Sequence, residues 1–121
     1  MPDDHTEQVI GAAIEVHRIL GSGLLESIYE EALCHEFDLR GIPFRRQVSV
    51  DVRYKEKVIQ GQRVDLVVFD KVVVEIKSLR DLPESAMAQV LSYLKATGLE
   101  RALLINFGAR RLIDGIKRIS L

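Results

Sequence analysis

Apolar residues recur at helical spacing in the first third of the chain. One stripe contains Val9, Ala13, Val16 and Leu20, which predicts a helix over residues 6–20. The glycines around Ser22 end this helix, and Ser22 is the expected N-cap of a second helix over residues 24–40. Gly41 then supplies the stop signal of that helix. The chain therefore opens with two helices.

From residue 44 the hydrophobic period changes to two, which is typical of strands. Residues 44–54 alternate between valines and polar side chains. A polar turn leads into a second strand over residues 58–69, and the tight turn Asp70-Lys71 leads into a third over residues 72–78. Three strands joined by short turns predict a β-meander over residues 44–78.

The last third of the chain returns to a helix and then to a strand. Pro83 marks the start of a helix that ends at Thr97, before Gly98. Residues 102–107 form an unbroken apolar run, as in a strand buried on both faces. Residues 112–121 fit a short helix or an edge strand. The order of elements predicts a single α/β or α+β domain over residues 1–121, with a mixed central sheet flanked by helices.

Composition and charge narrow the classes of function. The chain has 121 residues, 47% of them hydrophobic, and a formal net charge of −1. This charge excludes a polybasic arm or a histone-like binder, but not an acidic metal site beside a local basic patch. The single cysteine, Cys34, excludes an intrachain disulfide and favours a reducing, cytoplasmic setting. The polar first residues predict no signal peptide. No apolar stretch approaches the roughly 20 residues of a membrane span, so no membrane partner is expected.

Two charges interrupt the third predicted strand at alternate positions. Glu75 and Lys77 share one face of this strand because side chains alternate along it. Charges on a core strand lower stability unless they pair or bind a ligand. Taken alone, an ion pair on an exposed strand is the simpler interpretation.

A second carboxylate changes this interpretation. Asp65 lies among aliphatic residues of the preceding strand, and the tight turn folds the two strands into a hairpin that brings Asp65 close to Glu75. Two adjacent carboxylates repel, and a hard divalent cation relieves the repulsion. Lys77 could position the attacking water or neutralise charge on phosphorus. These residues predict metal-assisted phosphodiester hydrolysis.

Polar positions on the helices supply further candidates. Glu26 precedes Tyr29 by three residues on a largely apolar stripe, whereas Glu30 and Glu31 are interpreted as solvent-side charge. A first-turn acid favoured by the helix dipole is the simpler role for Glu26. Gln89 and Tyr93 lie four residues apart, away from the predicted core stripe of Met87, Val90, Leu91 and Leu94. They could contact a phosphate backbone or orient the lysine, or they could be ordinary solvated surface.

Basic residues cluster in two regions, either of which could face a phosphate backbone, although solvated surface charge is commoner. The first cluster, on and after the first strand, contains Arg45, Arg46, Arg53, Lys55 and Lys57. The second contains Arg110, Arg111, Lys117 and Arg118.

Together these residues resemble the small GxxExxY proteins, a bacterial and archaeal family of the PD-(D/E)xK nuclease superfamily. Gly23, Glu26 and Tyr29 reproduce the naming motif. The similarity covers the chain from about Val9 onward, and its later matches are, in order, Asp65, Glu75-Ile76-Lys77, Gln89, Tyr93 and Leu104-Ile105-Asn106-Phe107-Gly108.

The resemblance implies a restriction-endonuclease-like core and a role for each matched position. Asp65 and Glu75 look like the acids that bind Mg²⁺ or Mn²⁺, with the carbonyl of Ile76 as a further ligand. Lys77 looks like the catalytic lysine, and Glu26 like a helix-borne catalytic acid. The auxiliary, substrate-binding positions are Gln89, Tyr93 and Tyr29.

Two functions follow as alternatives. The first is a divalent-metal-dependent nuclease acting on nucleic acid, with DNA favoured and a homodimer expected if it cuts both strands. The second is a catalytically silent module that binds nucleic acid or a protein partner. A purely structural role ranks last because it leaves Asp65, Glu75 and Lys77 as an unexplained charge cluster. Cation binding at the two acids distinguishes the first two.

Overall fold

Two helices, five strands, a third helix and two further strands follow one another in the computed structural model, which describes residues 4–121. The helices are α1 (Asp4–Leu20), α2 (Glu26–Arg40) and α3 (Glu84–Thr97). The strands are β1 (Phe44–Ser49), β2 (Val52–Tyr54), β3 (Lys57–Ile59), β4 (Arg63–Val68), β5 (Val72–Lys77), β6 (Arg101–Asn106) and β7 (Ile116–Ser120). Among the helices described, none is long and apolar enough to cross a bilayer.

Five strands form the central sheet, in the order β1-β4-β5-β6-β7. Neighbours are antiparallel except β5 and β6, which run parallel because α3 connects them. The mixed sheet predicted from the sequence is confirmed, with β6 beside the meander strands. The ambiguous tail contains both predicted elements, a 3-10 helix over Leu112–Gly115 and the edge strand β7.

Two predicted strands are each broken in the structure. β1 ends at Ser49 and β4 begins at Arg63, while β2 and β3 pair only with each other. Two backbone segments approach each other closely where these strands are broken, and there the backbone N–H of Val50 donates to the carbonyl of Gln62 at 2.9 Å. A Cβ atom at Gly61 would lie 1.8 Å from the carbonyl oxygen of Val50, so only glycine permits this approach. Beyond this close contact the chain leaves the core, and β2 and β3 form a separate hairpin.

The sheet separates two cores. The helices α1 and α2 cover one face, where Tyr29, Leu33 and Phe37 of α2 are fully buried. The helix α3 covers the other face through Ala86, Val90, Tyr93 and Leu94. The prediction that Tyr93 lies off the core stripe is therefore wrong, because Ala86, Val90 and Tyr93 follow helical spacing along one buried line.

The entry to α2 depends on Tyr29 rather than on Ser22. The helix begins at Glu26, and no side chain caps its N-terminus. Instead, the Tyr29 hydroxyl donates to the carbonyl of Gly21 at 2.6 Å and accepts from the N–H of Leu24 at 3.1 Å. The Tyr29 ring stacks on Phe107 of the loop after β6, with 4.5 Å between ring centroids. Tyr29 thus fixes the loop before α2 against the core.

Candidate active site

Asp65 and Glu75 face each other across the strands β4 and β5. The backbone pairing of these strands reaches Leu66 opposite Val74, one step short of the two acids. Beyond that point the Asp65 carboxylate replaces a backbone acceptor, and its Oδ2 accepts from the backbone N–H of Ile76 at 2.7 Å. A side-chain oxygen thus satisfies a strand amide, and the carboxylate is fixed at the opening between the strands.

Glu75 is almost completely buried, with 4% of its surface exposed. Among residues 4–121, its Oε1 has no hydrogen-bond partner. Its Oε2 lies 3.5 Å from the hydroxyl of Tyr93, which donates to it. Burial and, second to it, the neighbouring Asp65 carboxylate raise the pKa of Glu75 to about 8, against the opposing effect of Lys77. At neutral pH, therefore, Glu75 is mainly protonated in the metal-free protein.

Lys77 shares the strand face of Glu75 and lies at the end of β5. Its Nζ is 3.8 Å from Glu75 Oε2, and 21% of its side chain is exposed. The amine therefore contacts Glu75, and part of the side chain is open to solvent. This position allows the lysine to contact a bound anion.

Asn106 holds the segment that follows Lys77, a role that sequence reasoning missed. Asn106 is opposite Lys77 in the parallel pairing and is buried. Its Oδ1 accepts from the N–H of Leu79 at 2.9 Å and of Gly108 at 3.0 Å, and its Nδ2 donates to the carbonyl of Leu79 at 2.9 Å. The signal in the sequence was an amide residue at the end of an unbroken apolar strand.

The edge strand β1 reaches the carboxylates through Gln47. This residue has a left-handed backbone, with φ of 49°, and occupies the position facing Asp65 between two regular pairs. Its Nε2 donates to Oε1 of Glu30 at 2.9 Å and lies 3.5 Å from Asp65 Oδ1. Glu30 also binds Arg46 at 2.7 Å, and only 12% of its side chain is exposed.

The interpretation of Glu30 as solvent-side charge is therefore wrong. Its partners Arg46 and Gln47 lie 16 and 17 residues away in sequence. Helical periodicity describes neighbours three or four residues apart and carries no information on such a pair. Glu30 joins α2 to the carboxylate pair through the amide of Gln47.

The remaining candidates lie around this cluster. Glu26 is exposed as the first residue of α2 and makes no hydrogen bond or ion pair with residues 4–121. Its predicted place on the apolar stripe is therefore wrong, because the stripe begins at Tyr29. Gln89 is half-buried on α3, and its carbonyl accepts from the Ser92 hydroxyl at 2.6 Å. Of the auxiliary residues, Tyr93 touches Glu75.

A cleft lies beside the end of β5. Its volume is about 410 Å³, and its lining includes Gly23, Leu24, Ser78, Leu79 and Gly108. The hydroxyl of Ser78 donates to the carbonyl of Leu24 at 2.5 Å, which joins the loop before α2 to the residue after Lys77. The cleft is therefore bounded by the loop that Tyr29 holds and the segment that Asn106 holds.

The donor set around the acids fits a hard divalent cation. Asp65 and Glu75 supply carboxylate oxygens, and Glu75 Oε1 is buried without a partner. The carbonyl of Ile76 points to the same side of β5 as its N–H, since both groups of a strand residue face one neighbour. Residues 4–121 contain no group of three His, Cys, Asp or Glu side chains able to hold a metal. Mg²⁺ requires only one or two carboxylates, completed by water and phosphate oxygens.

Comparison with known proteins gives one match. The family model of the PD-(D/E)XK nuclease superfamily matches residues 3–119. No curated protein and no solved structure matches the chain. The match spans nearly the whole chain, including both carboxylates, the lysine and all three helices.

Proposed function

The chain belongs to the PD-(D/E)XK nuclease superfamily, and from this premise we propose that it is a divalent-metal-dependent nuclease that hydrolyses phosphodiester bonds, with DNA as the favoured substrate. The observation that carries the proposal is the Asp65–Glu75 pair. Two carboxylates in contact, one of them buried with an unpartnered oxygen, are unfavourable in the metal-free protein. A cation between them would allow Glu75 to ionise beside Asp65 and would supply the partner that Glu75 Oε1 lacks.

The metal ligands in this proposal are Asp65, Glu75 and the carbonyl of Ile76. Mg²⁺ or Mn²⁺, when bound, would polarise a phosphate oxygen and lower the pKa of a water molecule. Asp65 is already oriented by the N–H of Ile76. Glu75 would give up its proton in the loaded protein, because a neighbouring cation favours the carboxylate. The Tyr93 hydroxyl orients this carboxylate through its contact with Oε2.

Lys77 is proposed as the catalytic lysine. Its amine contacts Glu75 and its side chain reaches solvent, so it can hold the attacking water or neutralise charge on the phosphoryl group. Glu26 and Gln89 are proposed to act from outside the carboxylate cluster, on substrate bound near the start of α2 and on α3. Tyr29 is proposed to support the substrate cleft through the loop it holds.

The test is metal-dependent cleavage of a panel of single- and double-stranded DNA and RNA. The wild type is assayed with Mg²⁺, with Mn²⁺ and with EDTA, beside the variants Glu75→Gln and Asp65→Asn. The matched control is Glu100→Gln, which makes the same chemical change at an exposed position before β6. We expect cleavage that requires metal, falls on the order of a thousandfold in both site variants and is unchanged in the control. Cleavage that survives EDTA or Glu75→Gln would contradict the proposal.

The same assay separates the enzyme from a catalytically silent module. A silent module would bind nucleic acid without cutting it at any metal concentration. Cleavage of both strands of a duplex would fit a homodimer, which sedimentation of the wild type with DNA measures. The cytoplasmic setting stays a prediction that rests on Cys34, a buried free thiol.

A further inference from the structure

The hairpin formed by β2 and β3 is exposed along its whole length. Every residue from 51 to 63 is exposed, in contrast to Val50 and Val64 on either side of the run. The hairpin has apolar side chains, yet Tyr54 is 62% exposed and Val58 51% exposed. An isolated two-stranded hairpin is marginal in water, so this hairpin contributes little to the core. Its composition therefore points to a contact with a partner.

The charges of the hairpin identify the chemistry of this partner. Arg53, Lys55 and Lys57 of the hairpin, and Arg63 at the start of β4, form no ion pair with residues 4–121, whereas Arg18, Arg40, Arg46 and Arg118 each form one. Of the two acids in the run, Asp51 accepts from the N–H of Gly61 and closes the base of the hairpin. The other is Glu56 at the turn. A chain of net charge −1 thus presents unpaired cations on one exposed arm.

The arm leaves the sheet at the end that carries the candidate active site. Ser49 on β1 is opposite Arg63 on β4, and Asp65 follows two residues later. Because β5 is antiparallel to β4, Lys77 lies at this same end. The turn at Lys71 lies at the opposite end of the sheet. A polyanion bound at the carboxylate pair therefore has the cationic arm beside it.

We propose that the β2–β3 hairpin is a DNA-binding arm that enters the major groove of duplex DNA and contacts the flanking phosphates. This inference rests on the proposed nuclease function and adds the form of the substrate. The major groove of B-DNA is wide enough for a two-stranded β-ribbon, whereas the major groove of duplex RNA is too narrow for side chains to read. At the turn, Lys55 Nζ lies 5.4 Å from the centre of the Tyr54 ring, which places an aromatic and a cation together at the tip.

The test compares two lysine pairs that carry the same charge. The arm variant is Lys55→Gln with Lys57→Gln, and the control is Lys71→Gln with Lys95→Gln, both exposed and outside the hairpin. Binding to a labelled DNA duplex is measured by fluorescence anisotropy in EDTA over a series of salt concentrations. We expect the arm variant to bind on the order of tenfold more weakly, with a salt slope smaller by about 2, and the control to match the wild type. Circular dichroism checks that both variants are folded.

Several results would overturn the proposal that the hairpin is a DNA-binding arm. Equal affinities and slopes in the two variants would do so, as would equal binding of duplex RNA and duplex DNA by the wild type. An arm-dependent dimer in sedimentation without DNA would assign the surface to a second copy of the chain. The proposed nuclease function fails separately. If the wild type cleaves DNA while both variants bind it equally, only the proposal of a DNA-binding arm is contradicted. If the wild type binds DNA through the arm but does not cleave it, only the proposed nuclease function is contradicted.

Discussion

The two faces of β5 are both buried from Val72 to Ile76 but differ in chemistry. Towards α1 and α2, the strand presents Val72, Val74 and Ile76, all within a continuous apolar core. Towards α3, it presents Val73 and then Glu75, which at 4% exposure is nearly as buried as Ile76 at 1%. Alternation along one strand thus produces a face made of hydrocarbon and a face that ends in charge.

The difference separates the face that builds the fold from the face that we propose binds a cation. Packing on the α1–α2 side needs no ligand because each side chain there is satisfied by hydrocarbon contacts. On the α3 side, an unpartnered carboxylate oxygen and an adjacent acid lower stability in the metal-free state. A cation is the partner that would make this arrangement favourable.

The largest effect is expected when an acid is placed on the apolar face of β5. Val74→Glu would place a carboxylate at a fully buried position of the apolar core that α1 and α2 cover. The cost of an unpaired buried charge is of the order of the whole stability of a domain, about 5–15 kcal/mol, so we expect loss of the fold. Thermal melting by circular dichroism measures it, with Leu39→Glu on the exposed face of α2 as the control. A Val74→Glu protein that melts like the wild type would remove the distinction between the faces.

The converse change, Glu75→Gln, should stabilise the metal-free protein at alkaline pH. The pKa of Glu75 is raised from 4.5 to about 8 in the folded protein. The folded state therefore holds a proton that the unfolded state has released, and wild-type stability falls as pH rises through this window. The loss is about 3–5 kcal/mol by pH 8, and it should be absent in Glu75→Gln.

Urea denaturation of both proteins in EDTA, from pH 5 to pH 8, measures this difference. The variant carries the same histidines as the wild type, so subtracting the two curves isolates residue 75. Parallel curves across the window would mean that Glu75 is ionised in the folded, metal-free protein.

Lys77→Met tests whether the lysine and the acids on the charged face of β5 have different roles. The lysine contacts Glu75 but carries positive charge, so it should not ligate a cation. We expect single-turnover cleavage to fall on the order of a hundredfold or more while Mn²⁺ affinity is unchanged or slightly higher. Calorimetric titration and single-turnover kinetics on the same preparation separate the two quantities. Undiminished cleavage by this variant would contradict the role of Lys77.

The smallest effect concerns Tyr29, which lies on the α1–α2 side and yet holds the loop that borders the cleft beside β5. Tyr29→Phe removes one hydrogen bond to Gly21 and one from Leu24 while keeping the stack on Phe107. We expect a loss of about 1–3 kcal/mol in unfolding free energy and unchanged Mn²⁺ affinity. Chemical denaturation with a parallel metal titration measures both. Weaker metal binding would show that the loop before α2 contributes to the cation site directly.

Sequence periodicity predicted the helices and the central sheet because those elements are set by local burial. The stripe of α2 and the unbroken run of β6 can be read directly from apolar spacing. The break between β1 and β2 could not be predicted from apolar spacing, because it depends on the close approach of Gly61 to Val50 across the base of the hairpin. An alternating pattern alone looks the same on a sheet and on a detached hairpin.

The carboxylate pair was predictable from a strand, a tight turn and a second strand. The link from Glu30 through Gln47 was not, because a left-handed residue at position 47 interrupts the regular pairing of β1. Tyr93 was misplaced for a related reason. Its polar group suggested a surface position, whereas the ring packs in the core while the hydroxyl reaches Glu75.

Mn²⁺ binding tests the central claim, that Asp65 and Glu75 form a cation site, most directly. Calorimetric titration of the metal-free protein at pH 7, in buffers of different ionisation enthalpy, measures affinity and proton release together. Because the pKa of Glu75 is about 8, we expect one Mn²⁺ per chain with release of about one proton. We expect both to disappear in Glu75→Gln and the binding to disappear in Asp65→Asn. A wild type that binds no Mn²⁺ at millimolar concentration, or that binds it equally well as Glu75→Gln, would contradict the account.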